Sequence, residues 1–208
     1  MFSALEVRSA AWHRRCCPNT RIALSAKVPE HPVGRRQPPW GLMNVETLAT
    51  LLNLLSAARR CTRAQAGTVY QQEADGLRFL VTQNDELART VGHAGSAELL
   101  TRTPLPWTER SIAAYVAVKR TTLNISDAYA IPLDKPYSFN PRIDRTTGFR
   151  TTSMLVVPLQ CPIDGVLQLI NATDESGEIV TFSRDAEVAV LELLSPESEP
   201  LRTAYRQA

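Results

Sequence analysis

Histidine and cysteine are scarce in this sequence, and that scarcity removes most nucleophilic and metal chemistry. Three histidines occur in 208 residues, and only His93 lies beyond the first 42. It sits in the irregular stretch "VGHAGS" with no identifiable aspartate partner. A loop histidine is the plainer reading, although a Cys–His or Ser–His pair that meets only in space stays open. The four cysteines are Cys16, Cys17, Cys61 and Cys161, and none belongs to a CxxC spacing. A zinc site is therefore not indicated, and reduced thiols in a cytoplasmic protein are the expectation. No apolar run approaches the roughly 18 residues of a membrane span, and no signal-peptide core follows Met1. Neither GxxxxGK[ST] nor GxGxxG occurs, so no Walker loop or dinucleotide fingerprint is present. Asp127, Asp134 and Asp144 lack the alternation of a calcium loop and read more simply as turn and cap residues. Neither an internal repeat nor a low-complexity tract breaks the ordered part of the chain.

Charge of one sign is also lacking. The net charge is +2. Residues 1–42 hold seven Lys/Arg against two Asp/Glu, a net +5, which leaves 16 against 19, a net −3, for residues 43–208. The ordered part offers no basic stripe to neutralise a phosphate backbone, so nucleic acid is disfavoured as a partner. The basic segment has five prolines before residue 42 and no helical or strand periodicity. It reads as a disordered tail, or as an upstream extension of a protein whose natural start is Met43. A basic arm that touches a partner is the less favoured alternative.

What remains, at 44% hydrophobic residues, suffices for a core. "NVETLATLLNLLSAARRC" places Val45, Leu48, Leu51, Leu52 and Leu55 at helical spacing. "AGTVYQQE" and "LRFLVTQ" flank Asp75-Gly76, a hairpin signal. Residues 84–106 look irregular. "TERSIAAYVAVKR" predicts a helix capped by Thr108 or Ser111, and "TLNI" a short strand. "FNPRIDRTTG" predicts a helical turn ending at Gly148. "TSMLVVPLQ" and "GVLQLINAT" predict a second hairpin around Asp164-Gly165, and "SRDAEVAVLELL" a closing helix capped by Ser183. Hairpins covered by helices give an α+β domain with an antiparallel sheet. The expected layout is a tail over 1–42, one domain over 43–195 and a C-terminal tail over 196–208.

One stretch is out of keeping with a mere connection. "NISDAYAIPLDKPYSFNPRIDRTTGF", residues 124–149, gathers three prolines with Asn140, Asp144, Thr146 and Thr147, then runs into "SMLVVPLQ". Aspartate, asparagine and threonine can hydrogen-bond the edge of a small polar ring. The start of the 111–119 helix offers unpaired backbone N–H groups suited to a phosphate or carboxylate. On pattern alone, a ligand pocket and a set of turn caps are level readings. The pocket reading predicts that 124–149 forms one wall and the lid of a cavity over strands 152–160 and 164–172.

"SIAAYVA", "LNISDAY", "FNPRIDRTTGFRT", "SMLVVPL", "GVLQLIN" and "FSRDAE", in that order, closely resemble a GAF domain. The likeness is strongest to the GAF domains of cyclic-nucleotide phosphodiesterases, adenylyl cyclases and related bacterial signalling proteins, and covers roughly residues 44–195. The resemblance implies a six-stranded antiparallel sheet with helices on both faces. It also implies a non-catalytic sensory module whose pocket binds a small molecule and signals to a partner. Cyclic AMP or cyclic GMP is one candidate ligand, and no cofactor is implied. The resemblance places backbone N–H groups of Ile112 and Ala113 at a cyclic phosphate. It places Asp144, Thr147 and Thr151 in the pocket, Asn140 at a position that is often aromatic, Gln168 at the base edge and Thr68 on the first strand. Gln83 and Asn84 are further base contacts within a residue of register. A homodimer, and an output-domain protein acting in trans, are the implied partners.

Two positions depart from the nucleotide-binding signature. Asn171, Phe182 and Glu187 match it, but Ala172 stands where it has Lys and Ala186 where it has Asp. The Lys–Asp ion pair of that signature therefore cannot form. "SPESEPLRTAYRQA" interrupts the last helix, as in a protein acting alone or in trans, or in a shortened relative of a longer regulator. Two other functions stay on the table: a redox enzyme of the methionine sulfoxide reductase kind, which needs a cysteine in the cavity, and a ligand-free dimerisation module built on the 44–60 and 183–195 helices.

Overall fold

A computed structural model describes residues 45–89, 92, 95, 105–106, 110–160 and 163–195. The expected tails, His93, Cys16, Cys17 and Cys161 lie outside the described residues.

Helix α1, Val45–Thr62, carries Glu46 in its first turn and Arg59 and Arg60 in its last, charges that complement the helix dipole. It buries Leu51, Leu54, Leu55, Ala58 and Thr62. Val45, Leu48 and Leu52, which share the apolar periodicity, are exposed on another side. Strands β1 (Ala64–Gln72) and β2 (Gly76–Asn84) follow as the expected hairpin. A register shift pairs Val69 with Val81 but Tyr70 with Phe79, so one residue of β2 is extra at that point. Residues 85–89, expected to be irregular, continue β2 as a helical turn. Asn84 explains the difference, because its Oδ1 accepts from the Leu87 N–H at 2.9 Å and caps that turn.

Strand β3 is Leu105–Pro106, and helix α2 is Ile112–Lys119. Ser111 is the cap of α2, its hydroxyl accepting from the Ala114 N–H. Strand β4 (Leu123–Ile125) leads through a 3-10 turn at Ala128–Ala130 to helix α3 (Arg142–Thr147). Strands β5 (Met154–Leu159) and β6 (Gly165–Thr173) form the second hairpin. A short strand β7 (Ile179–Val180) and helix α4 (Arg184–Leu193, capped by Ser183) complete the described chain.

Six strands lie in the order β3-β2-β1-β6-β5-β4, with antiparallel neighbours, and β7 pairs with the end of β6. The fold is thus the α+β arrangement expected. Strand periodicity divides the core. Helices α1 and α4 pack together over one face of the sheet. The buried residues Val69, Leu155, Val157, Leu167 and Leu169 alternate toward that face. The other face carries Tyr70, Leu77, Met154, Val156 and Val166, which cluster with Ile112, Ala113, Val116 and Ala117 of α2. Helix α2 covers only part of this second face. Among the described residues, segment 124–151 covers more of it.

Candidate functional site

The floor of the site follows from the period of two. Ala66, Thr68 and Tyr70 of β1 point away from α1, as do Gln168 and Ile170 of β6. Thr68 stands between Gln168 on one side and Thr82 of β2 on the other. Its hydroxyl lies 3.1 Å from that of Thr82. Tyr70 is buried and packs its ring at 4.7 Å against Phe79. Burial pushes its phenol well above the usual tyrosine range, with the Thr68 hydroxyl opposing the shift.

The roof is built around a buried carboxylate. Asn140 starts it, its Oδ1 accepting from the Arg142 N–H at 3.0 Å. Helix α3 then runs for six residues and stops at Gly148, whose φ of 73° is cheap only for glycine and whose N–H returns to the Asp144 carbonyl. The Asp144 side chain points inward and is 8% exposed. Its Oδ2 accepts from the Thr151 N–H at 2.7 Å and the Tyr129 hydroxyl at 2.9 Å, and its Oδ1 from the Thr151 hydroxyl at 2.9 Å. Tyr129 is held in turn by Phe139, at 5.0 Å between ring centroids, and by the Arg150 guanidinium 4.3 Å above its ring. Partial burial, then the bond to Asp144, raises the Tyr129 phenol above its ordinary pKa. Asn171 ties roof to floor. It adopts φ 57° and is buried. Its Nδ2 donates to the Gln65 side chain and the Arg150 carbonyl, while its Oδ1 accepts from the Thr152 N–H.

Between floor and roof lies a cavity of about 80 Å³. Thr68, Asn140, Asp144, Thr147, Thr151 and Gln168, six of the eight expected site residues, line it. Segment 124–149 contributes Phe139, Asn140, Ile143, Asp144, Thr147 and Phe149 to that wall. Ile112 and Ala113 are not brought there. The start of α2 is buried under its own chain: Ser138 bridges Ser111, its N–H donates to the Arg110 carbonyl at 2.7 Å, and Tyr137 packs on Tyr115. Gln83 and Asn84 border the cavity, but both side chains are engaged elsewhere. The Gln83 amide accepts from Arg59 and donates to Ser56 on the α1 face. Asn84 caps the following turn.

Sequence reasoning missed Tyr70, Thr82, Phe79, Phe139, Phe149 and Ile170. Alternation from Thr68 and Gln168 was signal enough for Tyr70 and Ile170. The β2 irregularity hid Thr82, because it shifts the inward-facing parity of that strand. Cys61 sits in the last turn of α1, bonded to the Ala58 carbonyl, and does not line the cavity. Burial pushes its thiol up, away from thiolate chemistry. Among the described residues, no group of three His, Cys, Asp or Glu could hold a metal ion, and no helix is long and apolar enough to cross a membrane.

Known proteins match this arrangement. A 111-residue stretch is 37% identical to the dual 3',5'-cyclic-AMP and -GMP phosphodiesterase 11A of Takifugu rubripes, covering 50% of this chain and 11% of that one. A stretch of 99 residues is 34% identical to the cGMP-specific 3',5'-cyclic phosphodiesterase of Drosophila melanogaster, covering 46% of this chain and 8% of that one. The chain therefore spans about a tenth of the length of these relatives. Among solved structures, the GAF domain/HD domain protein from Geobacter sulfurreducens superposes with a TM-score of 0.54 at 15% identity, over 80% of this chain and 97% of that one. The PixJ GAF domain of Thermosynechococcus elongatus does so with a TM-score of 0.53 at 13% identity, over 80% and 91%. These two likenesses show the fold. The GAF domain family model matches residues 46–196, nearly the whole described domain, and the chain belongs to the GAF domain family.

Proposed function

We propose that this chain is a non-catalytic sensory module that takes a small ligand into the cavity beneath segment 124–151 and passes its occupancy to a partner. The observation that supports this best is the convergence of Thr68, Asn140, Asp144, Thr147, Thr151 and Gln168 on one enclosed space. GAF domains are generally sensory, and the matched part of the phosphodiesterase relatives is a small fraction of each. Among the described residues the cavity lining holds no cysteine, which weighs against the reductase reading. Cyclic AMP or cyclic GMP is the ligand that the relatives' names suggest. Its entry would require the roof to lift, since drug-sized ligands occupy about 300–1,000 Å³ and this closed cavity holds about 80 Å³.

Pairing of two copies in the cytoplasm belongs to the same proposal. The exposed Val45, Leu48 and Leu52 of α1, and the exposed Val188 on the helix packed against it, are the apolar residues that support it. Such a pair, or an output protein in trans, would receive the signal. A thermal-shift screen of the purified protein against metabolites and cyclic nucleotides tests the reading, because a ligand that binds the native state raises its melting temperature by mass action. A flat response across the screen would sink it.

A further inference from the structure

Among the described residues, the lining of the cavity contains no Lys, Arg or His. The roof arginines Arg142, Arg145 and Arg150 are all exposed and do not line it. The backbone N–H groups at the start of α2, the other means of holding an anion, lie outside it beneath Ser138. Among the described residues of the wall, Asp144 is the one charged side chain, and its two oxygens already accept three bonds from Tyr129 and Thr151. The other polar groups described there are neutral hydroxyls and amides, and the apolar part of the wall includes the rings of Phe79, Phe139 and Phe149. Burying a charge without a partner is far costlier than burying a hydrogen-bonded neutral group.

Resting on the proposed ligand-binding role of this site, the geometry points to a ligand class: a small uncharged molecule with an amide- or lactam-type edge, no larger than one ring, rather than a nucleotide or any other anion. Gln168 presents a donor and an acceptor side by side, complementary to such an edge. Thr68 on the adjacent strand, and Thr82 on the strand beyond it, add hydroxyls that turn to suit. Phe79, Phe139 and Phe149 supply faces on which a flat ring can stack. Size agrees as well. A cavity of roughly 150 Å³ takes benzene, so about 80 Å³ takes an acetamide-sized molecule directly and a single ring after a small shift of the roof.

Calorimetry and thermal shift on the full chain separate the possibilities with defined probes: acetamide, 2-imidazolidinone, uracil and cytosine as neutral members, and acetate, inorganic phosphate, cyclic AMP and cyclic GMP as anions. The expected result is saturable binding of at least one neutral probe, at least roughly tenfold tighter than any anion. Gln168→Leu should then weaken it by roughly 5- to 150-fold with the melting temperature of the free protein nearly unchanged. Tighter binding of a cyclic nucleotide or phosphate would overturn the ligand class and leave the sensory reading standing. Neutral binding that Gln168→Leu leaves intact would overturn the recognition edge. Silence from all eight probes would overturn the ligand class, while a hit in the wider metabolite screen would still preserve the sensory role.

Discussion

Removing the Asp144 carboxylate should unlatch the roof, and the structure sets the size of the effect. Asp144→Ala deletes the acceptor of three donors: the Thr151 N–H, the Thr151 hydroxyl and the Tyr129 hydroxyl. Their burial differs. Thr151 is 3% exposed, whereas Tyr129 is 43% exposed and can turn to water. The buried N–H has no such escape, and an unsatisfied buried donor costs about 1–3 kcal/mol. The Thr151 hydroxyl can rotate toward another acceptor and adds little. A total of about 2–3 kcal/mol follows, and at about 2–4 °C per kcal/mol for a chain of this size the melting temperature should fall by about 4–12 °C. Asp144→Asn keeps one carbonyl oxygen for the N–H, so it should lose only about 1 kcal/mol. Urea unfolding followed by circular dichroism measures both. Thr151→Val alone and with Asp144→Ala then gives the coupling between the two side chains, expected at about 1 kcal/mol. If Asp144→Ala unfolds within about 0.5 kcal/mol of the parent, as a neutral surface change does, the latch reasoning is wrong.

Three other perturbations test separate parts of the structure. Gly165→Ala should give insoluble or largely unfolded protein, because a Cβ there would lie 1.9 Å from the Tyr70 carbonyl oxygen in the paired strand; normal solubility and melting would contradict the packing. Alkaline stability should fall from about pH 10 upward, since Tyr70 and Tyr129 have folded pKa values raised above the ordinary value of about 10 and hold their protons better folded than unfolded. Tyr70→Phe or Tyr129→Phe should flatten that fall in urea titrations across pH, and an unchanged slope in both would refute the assignment. Leu48→Glu with Leu52→Glu should convert a dimer into a folded monomer in light scattering, whereas a parent that is already monomeric would remove the proposed pairing.

The sheet and most of its cover were legible because local chemistry and long-range packing agree there. Asp75-Gly76 and Asp164-Gly165 mark tight turns, and the apolar runs beside them bury on both faces. Ser111 and Ser183 cap the helices they precede. The polar members of the site came from a different source: pattern alone left a pocket and a set of turn caps level, and the GAF resemblance pointed to Thr68, Thr151 and Gln168. What stayed hidden depends on tertiary geometry. The short stretch 85–89 shows no helical periodicity, and the Asn84 cap decides it. The extra residue in β2 changes which of its side chains face inward, and no residue type announces it. The start of α2 reads as open in sequence, yet a loop more than twenty residues later lies across it through Ser138.

The two alanines at signature positions make sense beside this latch. Ala172 is buried in the sheet, paired with Ala64 and Val180, and has no side chain to reach the roof or α4. Anchoring beside it comes from Asn171, one residue earlier, and from Ser153, whose hydroxyl accepts from the Ala172 N–H. Helix α4 is tied down by the buried Phe182 and by the Asn124 amide on its carbonyl. The roof therefore hangs on Asp144, whose partners Tyr129 and Thr151 lie within 124–151, and on Asn171, which reaches it from the sheet through the Arg150 carbonyl. Opening it sacrifices those bonds without disturbing the sheet. If opening costs about 1–3 kcal/mol, the open form is populated at roughly 0.6–15%, and any ligand that needs it binds more weakly by that same factor. A ligand small and neutral enough to enter the closed form escapes that penalty. The latch thus favours a small ligand, in keeping with the size of the cavity.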